Sequence, residues 1–165
     1  MFVTKKITKR TKIIVIFAFA VAVLILVRLC ACQPSVQTTA VSDIGVYELS
    51  AATNEERVTF LAQFGWQVDS EPCEVENVTV PQVFNKVYNR YNEIQLEQGL
   101  DLLDYAGKEC SRVTYTITNY PDTQQRVNAN LLIYNGVVIG GDISSAELGG
   151  FMHGFALDGF SEEVK

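Results

Sequence analysis

Residues 127–144 read VNANLLIYNGVVIGGDIS, and the fold turns on them. Asn135-Gly136 is a dipeptide favoured at the centre of a type I′ turn, where both residues need positive φ. It lies between two apolar runs, so strands near 127–134 and 137–143 are predicted to pair as an antiparallel hairpin. Upstream, SRVTYTITNY (111–120) alternates: Val113, Tyr115 and Ile117 fall on one face, Thr114, Thr116 and Thr118 on the other. That is the period of a half-buried strand. The three segments predict a meander, and the β-branched CEVENVTVP (73–81) supplies a further strand ending at Pro81.

Two helices are predicted ahead of these strands. In TNEERVTFLAQFGWQVD (53–69), Thr53 and Glu56 have capping-box spacing, Val58, Leu61 and Phe64 recur at helical spacing, and Gly65 stands at the C-terminal end. QVFNKVYNRYNEIQLEQG (82–99) is longer, with Phe84, Val87, Tyr88, Tyr91, Ile94 and Gln95 on one stripe and Gly99 closing it. Pro81 can serve as its first residue. The class is α+β: an antiparallel sheet of three to five strands with one long and one short helix packed on one face. The glycine-punctuated tail 144–165 is expected to form an irregular lobe or a last short strand.

The domain, residues 54–160, follows two other segments. Lys5, Lys6, Lys9, Arg10 and Lys12 precede fifteen consecutive apolar residues, Ile13–Val27. Extended to Ala31, with Arg28 snorkelling, that run is about 28 Å of helix against a hydrocarbon core of roughly 30 Å. Residues 1–32 read as a basic cytoplasmic tail and a signal anchor, leaving the C-terminal domain outside the cytoplasm. The alternative is a cleaved lipoprotein signal, Leu29-Cys30-Ala31-Cys32, with lipid on Cys32. Residues 33–53, rich in Gln, Ser, Thr and Ala, read as a polar linker in which Val46–Leu49 can dock on the domain.

Residues 33–165 carry seven basic and nineteen acidic side chains, a net charge of −12. So acidic a surface repels nucleic acid and anionic lipid. Cys73 and Cys110 could form a disulfide in an oxidising compartment or pack as thiols.

No spacing matches a catalytic or phosphate-binding motif. Gly136, Gly140 and Gly141 fit neither GxGxxG nor GxxxxGK[ST], and Ser144 and Ser145 lack a GxSxG frame. Asp69, Glu71, Glu74 and Glu76 lack a calcium-loop pattern, so neither metal nor cofactor is expected. The residues a ligand could meet are His153, Asp142, Tyr88 and Tyr91. The expected role is a non-catalytic binding or interaction module for an unidentified protein or small molecule. The alternatives are a small-molecule or cation sensor, with its pocket between the long helix and the sheet, and a small hydrolase or isomerase built on His153.

Taken together, NEERVTFLAQFGWQVD, EVENVTVPQVFNKVYNRYNEIQLEQGLDL, YTITNYP, VNANLLIYNGVVIGGD and GGFMHG resemble the bacterial domain-of-unknown-function family 4830 across residues 54–155. The resemblance implies an extracytoplasmic α+β module of membrane-anchored proteins. It supplies no catalytic residue to carry over.

Overall fold

The computed structural model describes residues 38–42, 45–121 and 125–157. The expected anchor, Cys32 and residues 158–160 lie outside them. Strands β1 (Thr39–Ser42) and β2 (Gly45–Glu48) form an antiparallel hairpin. Helix α1 (Asn54–Ala62) follows, then β3 (Glu74–Thr79), helix α2 (Lys86–Glu97), a 3-10 turn (Leu102–Tyr105), β4 (Glu109–Ile117), β5 (Val127–Tyr134), β6 (Val137–Ser145) and β7 (Met152–His153). The last five strands make one antiparallel sheet in the order β3-β4-β5-β6-β7. The α+β class is that which the sequence predicts, and the five strands fall within the expected three to five.

Local chemistry accounts for the element ends. Asn135 and Gly136 take φ values of 51° and 79°, as the type I′ turn between β5 and β6 requires. Thr53 and Glu56 close the capping box of α1. The long helix starts five residues after Pro81, because the Asn85 side chain accepts from the Tyr88 amide at 2.9 Å and caps it there.

The helix placement differs from the expectation. Tyr115 Oη donates to Asn54 Oδ1 at 2.7 Å, which sets α1 on the face carrying Val113, Tyr115 and Ile117. Tyr91 Oη donates to Asp142 Oδ1 at 2.9 Å, which sets α2 on the opposite face, with Thr114, Asn130 and Asp142. Side chains alternate across a sheet, so the helices cover two faces rather than one. The alternation at 111–120 reads as apolar-in, polar-out, yet the polar face is also covered, by hydrogen bonds from Tyr91 and by hydrocarbon such as Leu102 over Gly140. Val87, predicted on the buried stripe of α2, is 77 % exposed, while Asn92 and Gln95 are buried.

The segment read as a linker is also part of the fold. Ala40, Tyr47, Leu49 and Ala51 are buried with Phe60, Leu131, Ile143 and Phe155 in one core. The Tyr47 ring meets those of Phe60 and Phe64 at 6.0 and 5.0 Å, and its hydroxyl donates to the Gln98 carbonyl at 2.5 Å. The Val46–Leu49 piece therefore docks, and carries its flanking residues into the core.

Three successive devices cover the outer edge of β6. Val138 N donates to Leu49 O and Ala51 N to Gly136 O, both at 2.8 Å. At Gly141, side chains replace a strand: Gln95 Oε1 accepts the amide at 2.8 Å, and Gln98 Nε2 donates to the carbonyl at 3.3 Å. Beyond it, β7 pairs with Ile143 and Ser144. No buried backbone group at Gly141 is left without a partner, although no strand passes there.

Candidate functional site

The sheet divides the four candidate residues. Tyr88, Tyr91 and Asp142 come together on the α2 face. Phe84, Tyr88 and Tyr91 form a ridge along the helix, with ring centroids 5.0 and 6.0 Å apart. Asp142 is buried, and neutral donors hold both its oxygens: Tyr91 Oη on Oδ1, and Asn130 Nδ2 on Oδ2 at 2.9 Å. Asn130 in turn accepts from Thr114 Oγ1 at 2.9 Å. Burial, then the adjacent Asp142 carboxylate, pushes the Tyr91 phenol well above its ordinary value, so it stays protonated and donates. This is a satisfied network that ties helix to sheet, and its polar atoms are used up.

His153 lies opposite Ile143, and so on the other face. It joins Trp66, Tyr120 and Phe151: Trp66 stacks on Tyr120 at 5.5 Å, Tyr120 on Phe151 at 5.0 Å, and Phe151 on His153 at 5.7 Å. His153 Nδ1 is 2.7 Å from the Gly154 carbonyl, which can only accept, so Nδ1 carries a hydrogen. In the neutral ring, Nε2 then accepts from Tyr120 Oη at 3.1 Å. Neither partner is a carboxylate, a serine or a cysteine, so the ring is not part of a Ser-His-Asp or Cys-His arrangement.

Cys73 and Cys110 are free thiols, the first exposed and the second buried. Cys73 N bonds Thr114 O, four residues along β4 from Cys110, which is about 13 Å of strand. A disulfide needs α-carbons within about 7 Å, so the bridge considered from the sequence does not form. Alkylation of the folded protein, read by peptide mass, should label Cys73 quickly and Cys110 only after denaturation. Burial, then Glu109, raises the Cys110 thiol, adding to its inertness. Equal labelling of the two in the folded state would contradict this arrangement.

The acidic stretch of Asp69, Glu71, Glu74 and Glu76 is partly neutralised, since Arg112 pairs with Glu76 and, at 3.6 Å, with Glu74. Among the described residues no cluster of three or more His, Cys, Asp or Glu side chains is placed to hold a metal ion.

A cleft that offers room to a ligand lies at the C-terminal end of α2. Leu49, Leu96, Leu100, Val138 and Ile139 wall a cleft of about 300 Å³, with Gly99, Asp101, Asp104 and Tyr105 completing it. Its volume is at the lower end for small-molecule sites. It lies between the end of the long helix and β6, and none of the four residues His153, Asp142, Tyr88 and Tyr91 lines it. A second depression, of about 370 Å³, lies over Phe60 between Glu48, Glu55, Glu56 and Gln63. There the Glu56 carboxylate is engaged by the Ala52 and Thr53 amides, and Gln63 is clamped to the Glu48 backbone.

A family model described as "Domain of unknown function (DUF4830)" matches residues 60–143, just over half of the chain. The chain belongs to this family. The DUF4830 segment runs from Phe60 in α1 to Ile143 in β6, and so holds every cleft residue but Leu49. His153 and the β1–β2 hairpin fall outside it. Neither a curated protein nor a solved structure matches the chain.

Proposed function

We propose that this protein is a membrane-tethered binding module whose domain works outside the cytoplasm and takes a ligand in the cleft at the end of α2. The tether rests on the sequence: a basic cluster, then an apolar run at 13–31 long enough to span. Among the described residues no helix is long and apolar enough to cross a membrane, and the run lies outside them. Binding rests on one observation, the preformed cleft with apolar walls and carboxylates at its mouth. Hydrolysis or isomerisation through His153 is the weaker reading, because Nδ1 is taken by the Gly154 carbonyl and Nε2 by the Tyr120 hydroxyl, and neither nitrogen is bonded to a carboxylate, a serine or a cysteine.

Protease added to intact cells should digest the domain, while the N-terminal peptide stays with the membrane fraction. A domain protected from that protease would overturn the location. For binding, the detergent-extracted full chain is heated against a panel of amines, sugars, amino acids and metal ions. A ligand at 100 times its Kd stabilises by about 2.7 kcal/mol. Leu96, half-exposed at the cleft, is the residue to enlarge: Leu96→Trp should fill the mouth and abolish the shift. A shift that survives in Leu96→Trp places the ligand elsewhere and rejects the cleft.

A further inference from the structure

We infer that the cleft selects a compact organic cation, a protonated amine carried on an apolar body; this rests on the reading of the cleft as the binding site. Its walls fit the body. Leu49, Leu96, Leu100, Val138 and Ile139 come from three separate stretches and offer hydrocarbon with no polar side chain among them. The charge preference comes from what stands around them. Helix α2 ends at the cleft with no basic residue in its last turn, so no cationic side chain of the helix offsets the partial negative charge there, and the Tyr47 hydroxyl on the Gln98 carbonyl is a neutral donor. Asp101 and Asp104 add two carboxylates.

The two differ in freedom. Asp101 is held through Oδ1, which accepts from Asn92 Nδ2 and the Leu103 amide, both at 2.9 Å, and this fixes the carboxylate at the start of the 3-10 turn. Asp104 is exposed, and its backbone carbonyl, rather than its carboxylate, takes the neighbouring Lys108 ammonium at 3.1 Å. That ammonium sits 4.9 Å from the Tyr105 ring centre and 5.2 Å from that of Tyr134, so aromatic faces and a carbonyl hold it. A ligand ammonium at this end of the cleft would be attracted by both carboxylates. A ligand anion would meet the same groups as repulsion. The net charge of −12 on residues 33–165 further raises the local concentration of cations.

The test is calorimetric titration of the detergent-solubilised full chain with three isosteres: cyclohexylamine, cyclohexanol and cyclohexanecarboxylate. The amine should bind tightest, the alcohol more weakly, and the carboxylate weakest. Asp104→Asn should weaken the amine about two- to fivefold, the range of an exposed ion pair, and leave the alcohol unchanged. Added salt should weaken the amine in the same way. Equal affinity for amine and alcohol would overturn the cation preference and leave the cleft standing. Equal weakening of both by Asp104→Asn would assign Asp104 a structural role and overturn the preference too. If none of the three binds, the preference falls; if the wider panel also finds no ligand that Leu96→Trp blocks, the binding reading falls with it.

Discussion

Gly141→Ala should cost about 3 kcal/mol or more and lower the melting temperature by on the order of 10 °C. The reason is close approach. A β-carbon at residue 141 would run into the Asn130 carbonyl oxygen on β5 and stand 2.6 and 2.9 Å from two carbons of the Phe155 ring. The first obstacle is backbone in the adjoining strand and cannot swing aside. The second is a wholly buried ring, enclosed by Phe60 at 4.9 Å and Phe64 at 5.4 Å. Thermal and urea melts of the full chain followed by circular dichroism read the effect. A variant melting at the wild-type temperature would mean that β5 and β6 are not packed as described.

Phe155→Ala is the second large effect, at about 3–5 kcal/mol from lost burial and the cavity left behind. The ring fills the space that the missing side chain of Gly141 leaves over the sheet. Its backbone also ties distant pieces together: Phe155 O accepts from Trp66 Nε1 at 2.6 Å, and Phe155 N donates to Gln98 Oε1 at 2.5 Å. Urea unfolding should show a lower midpoint, and Phe155→Leu should recover part of the loss. Because the two sites touch, their effects should not add: Gly141→Ala should cost less in a Phe155→Ala background than alone. Full additivity in that double-mutant cycle would refute the contact.

The sheet was legible because its signals are local. Asn135-Gly136 sets a turn, Val113, Tyr115 and Ile117 set a face, and Thr53 with Glu56 sets a helix start. Each depends on neighbours a few residues away. The side taken by α2 was not legible, because hydrophobic alternation counts Thr114, Asn130 and Asp142 as solvent-facing. Their burial depends on the Tyr91 hydroxyl, which arrives from 51 residues before Asp142. Gln95 was legible on the helix stripe, but its bond to Gly141 and the burial of Gln98 were not: an amide reads as polar until a backbone edge lacking a strand is brought against it. The cleft carries no motif at all. It is assembled from residue 49, residues 96–105 and residues 138 and 139, and only their convergence makes it. The run GLDLLDY at 99–105, with two acidic residues among leucines just past a helix end, is the one hint the sequence held.

The bond from Trp66 to Phe155 joins residues 89 positions apart, and Tyr115 to Asn54 joins residues 61 apart. Closing such loops is slow, because their entropy is lost before the contacts that repay it have formed. A growing chain therefore cannot complete its aromatic core until residue 155 has emerged. Until then Trp66, Phe60 and Phe64 lack the ring and the carbonyl that enclose them. Completion of the aromatic core thus waits until nearly all of the domain has been made.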